Sequence, residues 1–333
     1  LDPSLNKLAS NLHIRLAEEI YYKKAEKQMK QMKQKGSRRL GAVEFFGILP
    51  NEEFFKAVEK YFDYIKPSED RPLVVNLLDG EEFKRYIKED LSRLKFWQAL
   101  ELIKLRVDDE ARRKIEALQD RYVAEFSSHI HGCFRPGRSG EKSQITINIE
   151  LEGCEETFFE ELLHYEAYRR SYFQAEFHAA NRAKELFVRT HIDRTFIEKI
   201  RHYLGDLSAG YIAIEKGFSN YIRSVREKKL ERIYVNVKAG CVEKYRDPLA
   251  SFEVAIDLAF AVVLPPNYEE KNEIEHTFEA KKLEVLSYLN STVRERFQEI
   301  ERAIDKVEMP PSEQNLLNCY TAIMSIYHSL PST

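Results

Sequence analysis

A glutamate and a histidine three residues apart on a helix can ligate iron or zinc together, and the sequence offers that spacing at Glu161–His164 and Glu273–His276. Residues so spaced share one helix face. A di-iron bundle needs further inward carboxylates from two other helices, and none stands out. Glu160-Glu161-Leu162-Leu163-His164 also has the outline of a zinc-protease helix without its first histidine. Zinc held there would lack ligands. His129 and His131 alternate at the start of a glycine-bearing stretch, again without a third ligand. Gly132 to Ser139, GCFRPGRS, has the outline of a phosphate loop with Arg138 in place of lysine. A true phosphate loop joins a strand to a following helix, whereas here a helix precedes and extended residues follow. The reading therefore expects no metal, no cofactor and no active site of the chain's own.

The elements around these residues read mostly as helices. Residues 2–35 form the first: Asp2 caps it, Pro3 suits its first position, and Leu5, Leu8, Leu12, Leu16 and Ile20 make one apolar stripe. Its second half is basic, with Lys23, Lys24, Lys27, Lys30, Lys33, Lys35, Arg38 and Arg39 against Glu26. A helix at 51–65 buries Phe54, Phe55, Val58, Tyr61, Phe62 and Ile65. Lys66 to Pro72 then marks a boundary. Ser127 to Ser143 carries Gly132, Pro136, Gly137 and Gly140 and cannot be a helix interior. Gln144 to Glu150 alternates and reads as extended. Residues 155–190 read as one aromatic-rich helix, and 207–229, 248–264, 270–308 and 312–329 as further helices. Thr292 and Glu295 have capping-box spacing, so a break near Asn290 is expected. Ile233 to Val237 is strand-like.

Composition bounds the classes. Hydrophobic residues at 43% and charged residues at 32% belong to a folded chain rather than a disordered one. A net charge of −3 makes no case for a nucleic-acid partner. Cys133, Cys154, Cys241 and Cys319 lie far apart, as reduced thiols of a cytoplasmic protein do. The run from Val254 to Leu264, interrupted by Asp257, is too short to span a bilayer. A chain opening on Leu1 reads as a segment of a longer protein.

Several fragments occur in the order of a known family. Phe83-Lys84-Arg85-Tyr86-Ile87 precedes a short loop, then Phe96-Trp97-Gln98-Ala99-Leu100-Glu101-Leu102-Ile103-Lys104, which holds the chain's single tryptophan. Leu118 to Tyr122-Val123, Ile147 to Glu150 with Glu155 to Thr157, Phe177 to Asn181 and Phe196 to Tyr203 follow. Over roughly residues 72–206 the chain resembles the regulator-of-G-protein-signalling (RGS) domain. The resemblance implies an all-α fold: a helical bundle over 72–206, with a basic helical segment at 1–66 and a helical segment at 207–333. Phe83, Phe96 and Trp97 would then be core residues.

The same resemblance implies contact with a Gα subunit through Asn148, Ser92, Arg93, Lys199 and Arg201. The family's asparagine, matched by Asn148, braces the catalytic glutamine of Gα in its transition-state conformation, which is differential binding. Ser92-Arg93 departs from the family's Glu-Asn. Lys199 stands near a family serine, and Arg201 matches the family arginine after a one-residue shift. Two functions follow. One is a Gα-binding regulator with weak GTPase activation. The other is an RGS-homology docking domain without that activity, inside a larger signalling protein.

The basic stretch generates its own test. Lys23, Lys24, Lys27 and Lys30 are expected to hold the chain against an anionic membrane surface at about 1 kcal/mol per basic residue. Liposome sedimentation should show binding to anionic vesicles that weakens as salt is raised. Equal sedimentation with neutral vesicles would leave an ordinary solvated helix face.

Overall fold

The computed structural model describes residues 36–91, 101, 103–104, 106–129, 131–137, 141–240, 245–269 and 271–331. Lys23, Lys24, Lys27, Lys30, Ser92, Arg93, Phe96 and Trp97 lie outside these residues. The chain divides into two units, Leu1–Leu162 and Leu163–Thr333.

The first unit is built on a sheet. β1 (Ser37–Leu40), β2 (Val43–Gly47), β3 (Leu73–Leu78), β4 (Gly132–Arg135) and β5 (Ser143–Asn148) stand in the order β1-β2-β3-β5-β4. β2, β3 and β5 are parallel, and β1 and β4 pair antiparallel at the two edges. Between them run α1 (Glu52–Tyr64), α2 (Gly80–Leu91) and α3 (Asp109–His129), and α4 (Cys154–Arg169) follows β5. This sheet corrects the all-α expectation and the RGS-like bundle with it. The physical reason is visible in β3, LVVNLL, which is buried along its whole length. Parallel strands covered on both faces lose the alternation that marks a strand and read like short pieces of buried helix.

Alternate residues face opposite layers. Phe45 lies 5.5 Å from Phe55 of α1 and 6.0 Å from Phe158 of α4, centroid to centroid. Val75 and Ile145, its ladder neighbours, share that face. Leu78 turns the other way and packs with Phe83 and Ile87 of α2 and Val123 of α3. Phe83 is fully buried there.

The second unit is helical among its described residues. It comprises the end of α4, then α5 (Tyr172–Phe187), α6 (His191–Glu215), α7 (Ser219–Ala239), α8 (Pro248–Val262), α9 (Lys271–Tyr288), α10 (Ser291–Asp305) and α11 (Glu313–His328). The single helix expected over 155–190 is two, parted at Ser171, whose φ of 66° no helix tolerates. Ile233 to Val237 lies inside α7, so its β-branched run yields to helical packing: Ile233 and Val237 are buried and share a face. The break near Asn290 is present, but Asn290 itself is the cap, its Oδ1 accepting from the Thr292 N–H at 3.0 Å. α6 begins on a reciprocal Thr190–Asp193 capping box.

One glycine ties the sheet together. Gly47 has φ of 109°, and a Cβ there would lie 2.1 Å from the Leu77 carbonyl oxygen. That oxygen accepts from the Ile48 N–H at 3.1 Å. Gly47→Ala should therefore cost about 3 kcal/mol or more, from the disallowed backbone angle and the clash together. Urea unfolding measures it; an unchanged midpoint would mean that β2 and β3 are not locked at this point.

Candidate functional site

Asn148 closes β5 and belongs to a bracket at the ends of two neighbouring parallel strands. Its backbone N–H donates to the His131 carbonyl at 2.9 Å, and its Oδ1 accepts from the Glu150 N–H at 3.1 Å. Glu150 in turn accepts from the Gly80 N–H through Oε2 at 3.0 Å. Gly80 opens α2, so this carboxylate sits where free amides and the helix dipole favour an anion. Asp79 completes the start of the helix, its Oδ1 accepting from the Glu82 N–H at 2.8 Å. A Cβ on Gly80 would meet Glu150 Oε2 at 2.7 Å, so a larger residue there would push the carboxylate off the amide. The bracket braces two turns. Asn148 is 7% exposed within it, at a strand end rather than in a loop between helices.

Lys199 and Arg201 belong to the second unit, on α6, and both are paired. Lys199 Nζ lies 2.7 Å from Asp257 Oδ1 of α8, and Arg201 Nε lies 2.8 Å from Glu198 Oε2. Glu198 also meets Lys184 of α5 at 2.5 Å. Lys199 leads into a polar seam that the sequence reading did not find. Lys199, Tyr203 and Asp206 recur at helical spacing on one face of α6. The Tyr203 hydroxyl donates to Asp257 Oδ1 at 2.7 Å, and its ring lies 4.9 Å from Phe260. Lys229 of α7 sits with Nζ 3.8 Å from the Tyr203 ring centroid and 3.7 Å from Asp206 Oδ2. The other Asp206 oxygen lies 3.7 Å from His164 Nε2.

A second polar group lies on an adjoining face of α6. Glu176 of α5 is buried and accepts from the Ser208 hydroxyl at 2.6 Å. Gly205 leaves room between Glu176 and His164: a Cβ there would lie 3.5 Å from Glu176 Oε2 and 3.9 Å from His164 Cε1.

Burial sets the protonation behaviour of the seam. It pushes the Glu176 carboxyl up to about 7, against the Ser208 hydrogen bond and the charge of Arg201. It brings the Lys229 amine down to about 8, aided by Arg226 and Arg232 and opposed by Asp206 and Asp257. Burial and then Arg201 lower His202, and burial and then Asp257 raise Tyr203. Groups displaced toward neutrality are suited to acid–base work and to nucleophilic attack by an amine.

Of the ligand spacings noted in the sequence, Glu161–His164 parts its two side chains: Glu161 lies beside Gly132 in the first unit, whereas His164 faces Asp206 in the second. Among the described residues no group of three or more His, Cys, Asp or Glu side chains could hold a metal ion. No helix among them is long and apolar enough to cross a membrane.

Against known proteins, the chain matches no family model, no curated protein and no solved structure.

Glu176 makes the seam testable. A carboxyl whose pKa rises from 4.5 to about 7 on folding stabilises the fold below pH 4.5, and this contribution drains away as pH climbs through 7. Glu176→Gln keeps an acceptor for Ser208 and removes the titration. Its stability relative to wild type should rise between pH 5 and 7.5 by about 2 kcal/mol and then level off. Urea unfolding at several pH values reads this. A difference independent of pH would show that Glu176 is not held neutral by burial.

Proposed function

We propose that this chain is a protein-docking module of a larger, cytoplasmic signalling protein, without GTPase-activating chemistry of its own. The observation that carries the reading is an open groove of about 730 Å³ between α7 and α9. Leu230, Val235 and Phe278 give it an apolar floor, and Glu231, Arg232 and Lys281 stand around it. Val235 is 51% exposed in the isolated chain. An apolar floor with charged rims is the form that receives an amphipathic helix through anchors at helical spacing. The fate of the contact residues supports the same choice. Asn148 spends its carbonyl oxygen inside the strand-end bracket, and Lys199 and Arg201 are spent on Asp257 and Glu198.

Direct engagement of a Gα subunit keeps one supporting observation: the Nδ2 of Asn148 is not drawn into the bracket. That second reading leans on the sequence resemblance and this amide, and not on the fold. The basic stretch around Lys23 to Lys30 would serve either reading as a contact with an anionic membrane.

Two measurements decide. The docking reading expects a library of amphipathic helical peptides to yield binders that are lost in Val235→Glu while thermal stability stays within about 1 kcal/mol. It also expects no acceleration of single-turnover GTP hydrolysis by any Gα. A library without binders sinks it. Preferential capture of Gα loaded with GDP and aluminium fluoride, abolished by Asn148→Ala, would install the second reading in its place.

A further inference from the structure

Lys229 has the surroundings of a reactive amine. Its side chain is 13% exposed, so the ammonium group has little water to solvate it. One face of the group meets the Tyr203 ring at 3.8 Å, and Asp206 stands at 3.7 Å, longer than a hydrogen-bonded ion pair. Asp257, the other carboxylate of the seam, is drawn off by Lys199 and the Tyr203 hydroxyl. On α7 itself the neighbouring charges, Arg226 and Arg232, are positive. Arg226 is buried and donates to the Phe260 carbonyl oxygen. Asp206, beside the amine, and His164, beside Asp206, are the more exposed members of the group, with side chains 38% and 24% exposed.

We propose that Lys229 is a covalent site for small aldehydes, which it captures reversibly as a protonated imine on the face next to Asp206. The free amine donates its lone pair to the carbonyl carbon, and the C=O π pair moves to oxygen. The amine gives up one proton as the oxygen gains one, forming a carbinolamine. A further proton on that oxygen lets it leave as water while nitrogen forms the C=N bond, so one aldehyde and one proton give one protonated imine and one water. No electrons are exchanged with a third species. Asp206 lies 3.7 Å from both Lys229 Nζ and His164 Nε2, beyond direct hydrogen-bond reach, so the protons of the two steps are exchanged with solvent at this face. Aldehydes are favoured over acylating or carboxylating partners because the imine keeps its positive charge. The contacts to the Tyr203 ring and to Asp206 therefore survive the reaction, whereas an amide or carbamate would forfeit both. Low exposure at the amine restricts the partner to compounds of a few carbons.

The test is reductive trapping on the full chain. Acetaldehyde and sodium cyanoborohydride are added briefly at a series of pH values, and each lysine is quantified by peptide mass spectrometry. Lys84 and Lys238 are internal standards, since both are exposed and their carboxylate or phenol neighbours hold them charged. With an amine near 8 against one at 10.5, the unprotonated fraction at pH 7 differs roughly 300-fold. Restricted access will take back part of that factor. Lys229 should be ethylated at least about tenfold faster than either standard, with a rate that levels off above pH 8. Asp206→Asn removes a partner that favours the charged form, so the levelling should move to lower pH. Denaturation in urea should erase the preference. Lys229 reacting no faster than Lys84 at pH 7, or a rate still climbing at pH 10, overturns the proposal.

Discussion

Charge inside a helical unit is tolerated only where a counter-charge or a hydrogen bond replaces the lost water. α6 is where the second unit meets that constraint. One face of this helix carries Lys199, Tyr203 and Asp206 against Asp257 and Lys229. Another brings Ser208 to Glu176 and, a few residues earlier, joins Arg201 and Glu198 to Lys184. Each pairing fixes a neighbouring helix in rotation as well as in distance. An apolar face would hold α5, α7 and α8 against α6 with about the same affinity at several rotations. Hydrogen-bonded side chains allow one.

The first unit solves a different problem with similar means. Parallel strands end side by side, and each must release its chain into a helix or a turn without leaving amides unpaired. The Asn148–Glu150–Gly80 bracket closes β3 and β5 together. It uses a carboxylate from one turn to satisfy the amide that opens the helix of the other. The position often occupied by a ligand's phosphate in such folds is here filled by the chain's own Glu150.

How much of this was legible in the sequence follows from the periodicities. Helices with one wet face could be read: Asn51 to Ile65 announced α1, and the helical stretch 270–308 with its break near Asn290 announced α9 and α10. β5 was readable because SQITIN alternates. β2 and β3 were not, since strands covered on both faces carry no alternation to detect. Phe83 and Asn148 matched motifs whose spacing survives in a fold of another class, which is why short motifs outran the architecture. The α6 seam was missed for another reason. Its partners Glu176, Lys229 and Asp257 come from three other helices, and only Asp257, interrupting an apolar run, left a mark in the sequence.

The strand order has a consequence for how the first unit is assembled. β1 and β2 meet across the turn at Gly41, with φ of 57°, and β4 and β5 are likewise near neighbours in sequence. Both edges can thus form from local contacts on the timescale of a hairpin. β3 has no such partner. Both its neighbours are parallel to it, so each pairing closes a long loop before any ladder bond repays the lost chain entropy. Two early hairpins therefore wait on one central strand. Until it inserts, each presents an unpaired apolar edge, and it is in that interval that the chain is most exposed to pairing with a second copy of itself.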